Sequence, residues 1–300
     1  MTAGGQRVRA YLQLMRLPAV FTAMADIVLG FVLVHRTLAP LAEFAALLGA
    51  STALYLAGMV FNDYFDRAVD AIERPNRPIP SGRVSPRTAL VLGTTLLAVG
   101  LACACAAGNL AIAIAGALAM LILAYDGVLK STFAGPIGMG GCRLLNVLLG
   151  ASGGALVVGK SPQFAVAAAM GIYVAGITWF ARREAVTSSR AQLVGAAVVI
   201  HSGIALLLIL VFASWPPSRL ESLAAFLLLP IVAFIDVRLG LALGEPTPVN
   251  VQAAVKQLLL AIVLLDATMI YWATGNPTLA LGTALLIIPA ATLGRWIFIT

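Results

Sequence analysis

Residues 41–85 read LAEFAALLGASTALYLAGMVFNDYFDRAVDAIERPNRPIPSGRVS. From Phe44 to Phe61 the run carries no charge. An apolar helix of about 20 residues crosses a hydrocarbon layer ~30 Å thick, so a membrane span is predicted over 41–65. Polarity then changes within a turn, as Asn62, Asp63, Asp66, Asp70 and Glu73 follow. Spacings of three and four put Asn62, Asp63, Asp66 and Asp70 on one side of a helix. Like charges at that spacing repel, so a positive group must compensate them.

The rest of the chain extends the apolar reading. Of 300 residues 61% are hydrophobic and only 10% charged, with a mean hydropathy of +1.00. Roughly 25% charge is usual for a soluble domain. A soluble enzyme, a disordered chain and a nucleic-acid binder are thereby excluded. Ten spans are predicted, at 18–35, 41–65, 86–107, 110–129, 136–159, 163–181, 191–214, 220–240, 251–273 and 276–298. The first is read as a helix rather than a cleaved leader, because no small-residue cleavage site follows it. The expected fold is an all-α polytopic membrane bundle of nine to ten helices, a single integral-membrane unit over 1–300. With the amino terminus placed in the cytoplasm, sixteen of the nineteen Lys and Arg fall inside; only Arg36, Lys160 and Arg219 fall outside. That bias predicts a bacterial-type inner or plasma membrane protein with both termini and the active site cytoplasmic. Three cysteines in apolar stretches and two isolated histidines argue against a disulfide framework, a zinc site or a haem.

With only twelve acids in the chain, the cluster at 62–73 stands out. Hard cations take oxygen ligands, and Mg²⁺ binds through one or two carboxylates together with substrate phosphate oxygens. Arg74, Arg77 and Arg83 follow among Pro75, Pro78 and Pro80, and guanidinium groups suit bidentate phosphate binding. Acids that hold Mg²⁺ followed by arginines that hold phosphate oxygens make a diphosphate site. The competing reading is a solvated helix end whose acids pair with Arg67 and Arg74.

Asn62 to Ser85, NDYFDRAVDAIERPNRPIPSGRVS, resembles the first signature of the UbiA-type intramembrane prenyltransferases, NDxxDxxxD followed by RPxxSG. It is especially similar to the archaeal branch that prenylates glycerol-phosphate lipids. Tyr125-Asp126-Gly127-Val128-Leu129-Lys130 is similar to the family's YxxxLK, and Arg16 before Leu17-Pro18 also fits. The resemblance covers roughly residues 10 to 275 and implies nine spans, with the tenth an addition. Gly138 to Asn146 also resembles the divergent bacterial EboC-like branch. The resemblance implies Mg²⁺-dependent transfer of a prenyl group from a prenyl diphosphate to a lipophilic or amphipathic acceptor in the membrane. It assigns Asp63, Asp66, Tyr125 and Lys130 to catalysis. Arg16, Arg74, Arg77, Asp126, Arg182 and Arg183 are assigned to substrate, and Asn62, Asp63, Asp66, Asp70 and Glu184 to metal. The expected partners are the donor, the acceptor and membrane lipid, with no nucleic acid.

One departure stands against the pattern. The family carries a second acidic cluster, often DxxxD, at the inner end of its sixth span. Here residues 176–185 read GITWFARREA, with Glu184 the single acid beside Arg182 and Arg183. Three outcomes follow: the arginines replace the second Mg²⁺, Asp126 or Glu184 completes a weaker metal site, or the chain binds isoprenoid phosphate without transferring it. A silent isoprenoid-lipid binding or transport protein and a polyprenyl-phosphate phosphoribosyltransferase are therefore the rival functions. Phe61, Tyr64, Phe65, Tyr125, Tyr173 and Trp179 are candidates to face an allylic cation, or else packing residues. Asp26 and Asp266 lie within spans, where an acid is costly and a functional candidate. Asp26 is placed below the diphosphate, Asp266 outside the site, and Asp236 in a surface pair with Arg238.

Overall fold

Apolar runs of this length close their own backbone hydrogen bonds as helices, because lipid offers none. The computed structural model describes residues 3–154, 161–182, 184, 187–213 and 219–297. Within them are α1 (Ala3–Leu14), α2 (Val20–His35), α3 (Leu41–Glu73), α4 (Pro86–Ala107), α5 (Asn109–Gly127) and α6 (Gly135–Gly150). They continue with α7 (Pro162–Ala181), α8 (Arg190–Val211), α9 (Arg219–Gly244), α10 (Pro248–Thr274), α11 (Pro277–Ala284) and α12 (Ile287–Ile297). Nine helical stretches among the described residues are long and apolar enough to cross a membrane.

Two predicted spans differ. The span expected over 136–159 is helical only to Gly150, and turns follow at 151–154; its remaining positions lie outside the described residues. The span expected over 276–298 divides into α11 and α12, with a break at Leu285 and Leu286. Pro289 then stands in the first turn of α12, where its missing N–H is tolerated. A third difference concerns α3, which continues past position 65 to Glu73 and so carries all the clustered acids on a helix.

The centre of the bundle is α2, packed against α3, α6, α7 and α10. Backbone approaches there are close. A Cβ on Gly30 would collide with the carbonyl oxygen of Val147, and one on Gly150 would lie 2.7 Å from that of Ile27. Gly140 and Gly171 make the same kind of contact between α6 and α7. Such small-residue contacts let helices pack by dispersion where lipid supplies no hydrophobic drive. A second, smaller core lies at one end of the bundle, where Ala10 and Leu14 of α1 meet Val60, Ile79, Val84 and Ala89. It ties α1 and the 74–85 loop to the end of α3.

Gly30→Ala is expected to lower the thermal midpoint of the detergent-solubilised protein, because overpacking a core against backbone costs about 1–3 kcal/mol. Gly116→Ala, with open space at its Cβ, is expected to leave the midpoint unchanged or raise it, since Ala favours a helix interior by about 1 kcal/mol.

Candidate functional site

The acids of α3 do not all face water. Asp63 and Asp70 are buried, with side chains 4% and 5% exposed, while Asp66 retains 31%. Asp126, near the end of α5, is also buried. Buried carboxylates need charged or hydrogen-bonding partners, and three segments supply them.

The first is the turn between α1 and α2. Arg16 has φ 44° and ψ 46°, a left-handed conformation that strains a side-chain-bearing residue. From there one of its Nη groups donates to Asn62 Oδ1 at 3.1 Å and to Asp63 Oδ1 at 3.0 Å. The second is the loop after α3. Ser81 Oγ donates to the Arg77 carbonyl at 2.7 Å, Val84 N–H to the Pro78 carbonyl, and Gly82 takes φ 73°. Ile79 and Val84 are buried, and Ser85 caps α4 by accepting from Thr88 N–H. The loop is thereby folded back on α3, and Arg77 donates to Asp63 Oδ1 at 3.2 Å and Asp70 Oδ2 at 2.6 Å. The third is the turn after α5, from which Lys130 Nζ reaches Asp66 Oδ1 at 2.7 Å. Asn62 Nδ2 donates to Asp126 Oδ1 at 3.2 Å and joins α5 to the network.

Most of the sequence-predicted residues thus meet: Arg16, Asn62, Asp63, Asp66, Asp70, Arg77, Asp126 and Lys130. Glu184 lies near Arg74 and Arg16; burial lifts its carboxyl above the ordinary glutamate range, against the pull of both arginines. Arg182 is exposed at the end of α7, and Arg183 lies outside the described residues. Tyr125 is half-buried close to Gly138 of α6. The pairing expected from Arg67 and Arg74 comes instead from Arg16, Arg77 and Lys130, because Arg67 stacks over the Tyr64 ring at 4.5 Å. Among the aromatics, Phe61 packs against α4 near Gly93, and Tyr173 is buried with its hydroxyl donating to the Leu258 carbonyl. Asp236 contacts His201 Nε2 at 2.8 Å, whereas Arg238 binds Gln257.

Among the described residues no three His, Cys, Asp or Glu side chains converge as a metal cage. Asn62, Asp63, Asp66, Asp70 and Glu184 are therefore not drawn around one point; Arg77 and Lys130 stand against the acids. The oxygen donors fit a hard cation held by one or two carboxylates and completed by phosphate oxygens, rather than an all-protein site.

Sequence reasoning missed a second polar group deeper in the bundle. Arg143, which the charge count places only on the cytoplasmic side, is buried within α6 and pairs with Asp26 at 2.8 Å. The signal was an arginine and an asparagine one helical turn apart, Arg143 and Asn146, in an otherwise apolar helix.

A family model for the UbiA prenyltransferase family matches residues 23–248. The digeranylgeranylglyceryl phosphate synthase of Methanopyrus kandleri is 38% identical over 125 residues, 42% of this chain and 45% of that protein. The enzyme of the same name from Natronomonas pharaonis is 50% identical over 74 residues, 25% of this chain and 27% of that protein. The match to these curated relatives therefore spans less than half of their length. Among solved structures, a UbiA homologue from Archaeoglobus fulgidus bound to GPP and Mg²⁺ superposes with a TM-score of 0.64 at 16% identity, over 90% of this chain and 99% of that one. The apo UbiA homologue from Aeropyrum pernix K1 gives 0.68 at 18% identity, over 84% and 96%. At such identities these structures establish the shared fold.

Arg77→Met removes the only cation bonded to Asp70 among the described residues. Removing one partner of a buried ion pair costs about 3–5 kcal/mol, so a lower thermal midpoint is expected. Asp66→Asn, at a more exposed pair, is expected to cost under about 1 kcal/mol in the same measurement.

Proposed function

The chain belongs to the UbiA prenyltransferase family, and from that premise we propose that it is an integral-membrane prenyltransferase moving a prenyl group from a prenyl diphosphate to a lipophilic or amphipathic acceptor. The observation that carries this reading is the meeting of Asn62, Asp63, Asp66 and Asp126 with Arg16, Arg77 and Lys130 at one end of an apolar bundle. A prenyl diphosphate has matching chemistry, a polyanionic head on an apolar chain.

Asn62, Asp63 and Asp66 would hold Mg²⁺, with Asp70 and Glu184 nearby. When bound, the ion supplies positive charge against the diphosphate oxygens. Arg16, Arg77 and Lys130 would exchange carboxylate oxygens for diphosphate oxygens, with Arg74 and Arg182 at the mouth. These donors stabilise the charge that grows on the diphosphate as its bond to the allylic carbon breaks. The electron pair of that bond leaves with the diphosphate. A lone pair of the acceptor then forms the new bond to carbon, and the acceptor loses its proton. Tyr125 lies beside the acids and supplies an aromatic face to the cation. The curated relatives are named as synthases of digeranylgeranylglyceryl phosphate, which makes a glycerol-phosphate ether lipid the first acceptor to supply. The sixteen-to-three split of Lys and Arg in the sequence supports a cytoplasmic position for that end and for both termini.

Purified protein with Mg²⁺, labelled C10 to C20 prenyl diphosphates and a panel of lipid acceptors is expected to release diphosphate. Retained donor binding without release would overturn transfer in favour of a silent lipid-binding protein. Turnover only when phosphoribosyl diphosphate and a polyprenyl phosphate are supplied would indicate the phosphoribosyl reaction. Asp66→Ala and Asp63→Asn are expected to lower kcat by about 100-fold or more, the scale of losing one electrostatic partner of the transition state. Wild-type rates in both variants would refute the assigned site.

A further inference from the structure

The deeper polar group does not belong to the site above. On α3 Ser51 stands eleven residues before Asn62, about 16 Å further along the helix. Around it Asp26 of α2 and Asp266 of α10 are wholly buried, and Arg143 and Asn146 of α6 nearly so. Asp26 Oδ2 accepts from Arg143 Nη1 at 2.8 Å and from Asn146 Nδ2 at 2.8 Å. Asn146 Nδ2 also donates to the Ala23 carbonyl at 3.0 Å, and Ser51 Oγ donates to Asn146 Oδ1 at 2.7 Å.

What remains is unbalanced. Asp26 Oδ1 and both oxygens of Asp266 have no hydrogen-bond partner, and the two carboxyl groups lie close enough to hydrogen-bond if one carries a proton. As carboxylates they are acceptors set against each other with no donor between them. The charged and titratable groups that face them are Arg143 of α6, with Tyr55 of α3 and Tyr173 of α7 close to that arginine. Two carboxylates and one guanidinium leave one negative charge in the membrane interior, where an uncompensated charge is costly. Each unpartnered oxygen is sealed to less than 1 Å² of accessible surface. A water molecule has no room beside them, and two carboxylates held together relieve their repulsion by sharing a proton.

We propose that Asp26 and Asp266 form a proton-binding site, one proton held between the two carboxyl groups and the remaining charge balanced by Arg143. The cluster is then neutral and joins α2, α3, α6 and α10, with Arg143 Nε and Nη2 its remaining buried donors without a partner.

Infrared spectra of the full chain in detergent, in H₂O and in D₂O, test this. A carboxylic-acid carbonyl band that shifts in D₂O is expected in the wild type and absent from Asp266→Asn and from Asp26→Asn. Identical bands in all three proteins would overturn the proposal. Asp266→Asn keeps the neutral charge and offers an N–H donor in place of the proton, so a folded, monodisperse variant is expected. Failure of that variant to fold counts against the shared proton. A thermal midpoint raised by sodium over choline in the wild type but not in Asp266→Asn would also overturn it, because a metal ion would then hold the pair.

Discussion

Burial of carboxylates at the end of a membrane bundle is the constraint from which the rest of this molecule follows. Asp63 and Asp70 are set about two turns apart on α3 and are almost sealed from water. Unpaired they would be untenable. Their partners come from segments outside α3, and each of those segments is held by its own local structure. The strained left-handed turn at Arg16 is stabilised by α1 packing into the small core at Ala10 and Leu14. The proline-rich loop is held by Ile79 and Val84 and by its internal hydrogen bonds, and it returns Arg77 to the helix it has just left. The apolar bundle is thus a scaffold, and a short polar lattice at one end fixes how α1, α3, α5 and the connecting loop meet.

Under the proposed function, the same lattice limits which groups can serve an anionic substrate. Arg77 spans two carboxylates, Arg16 spans a carboxylate and an amide, and Lys130 neutralises Asp66. These donors are already oriented, so an incoming diphosphate accompanied by a cation would exchange partners within an existing arrangement. Preorganised charge of this kind stabilises a leaving group without reorganisation at the moment of reaction. Deeper in the bundle the logic is reversed. The cluster of Asp26, Arg143, Asn146 and Asp266 is almost wholly buried, and its internal charge balance matters more than access.

Most of the fold was legible in the chain because the bilayer imposes a length on every apolar run. The spans at 86–107 and 163–181 agree with α4 and α7 to within a residue. Departures arose where length was not the deciding quantity: α6 is short, and the last apolar run breaks before Pro289. The amphipathic α1 was not anticipated, because its burial depends on a loop and a helix end far along the chain. In the site, Asn62, Asp63, Asp66 and Asp70 were found from helical spacing alone. Their actual partners were not, since Arg77 and Arg74 are equally plausible in one dimension and only the turn at 78–84 selects Arg77. The depth of Arg143 was missed for a related reason. A charge count assigns it to a side of the membrane but not to a depth, and its place within the bundle follows from the buried Asp26 across the helix interface.

The sequence by itself determined that this chain lies in a membrane, that its spans are helical, and that one polar face at 62–70 stands out among very few acids. Those properties depend on composition and on neighbours three or four residues apart, which the helix makes adjacent. The tertiary structure decided which cation meets which carboxylate, that Asp26 and Asp266 share one environment, and that Asp236 contacts His201 rather than Arg238. These contacts join residues from 7 to 240 positions apart, and even the shortest of them depends on the loop at 74–85 folding back. Charge compensation in a low-dielectric interior depends on distance in space, and no local pattern in the chain encodes that distance.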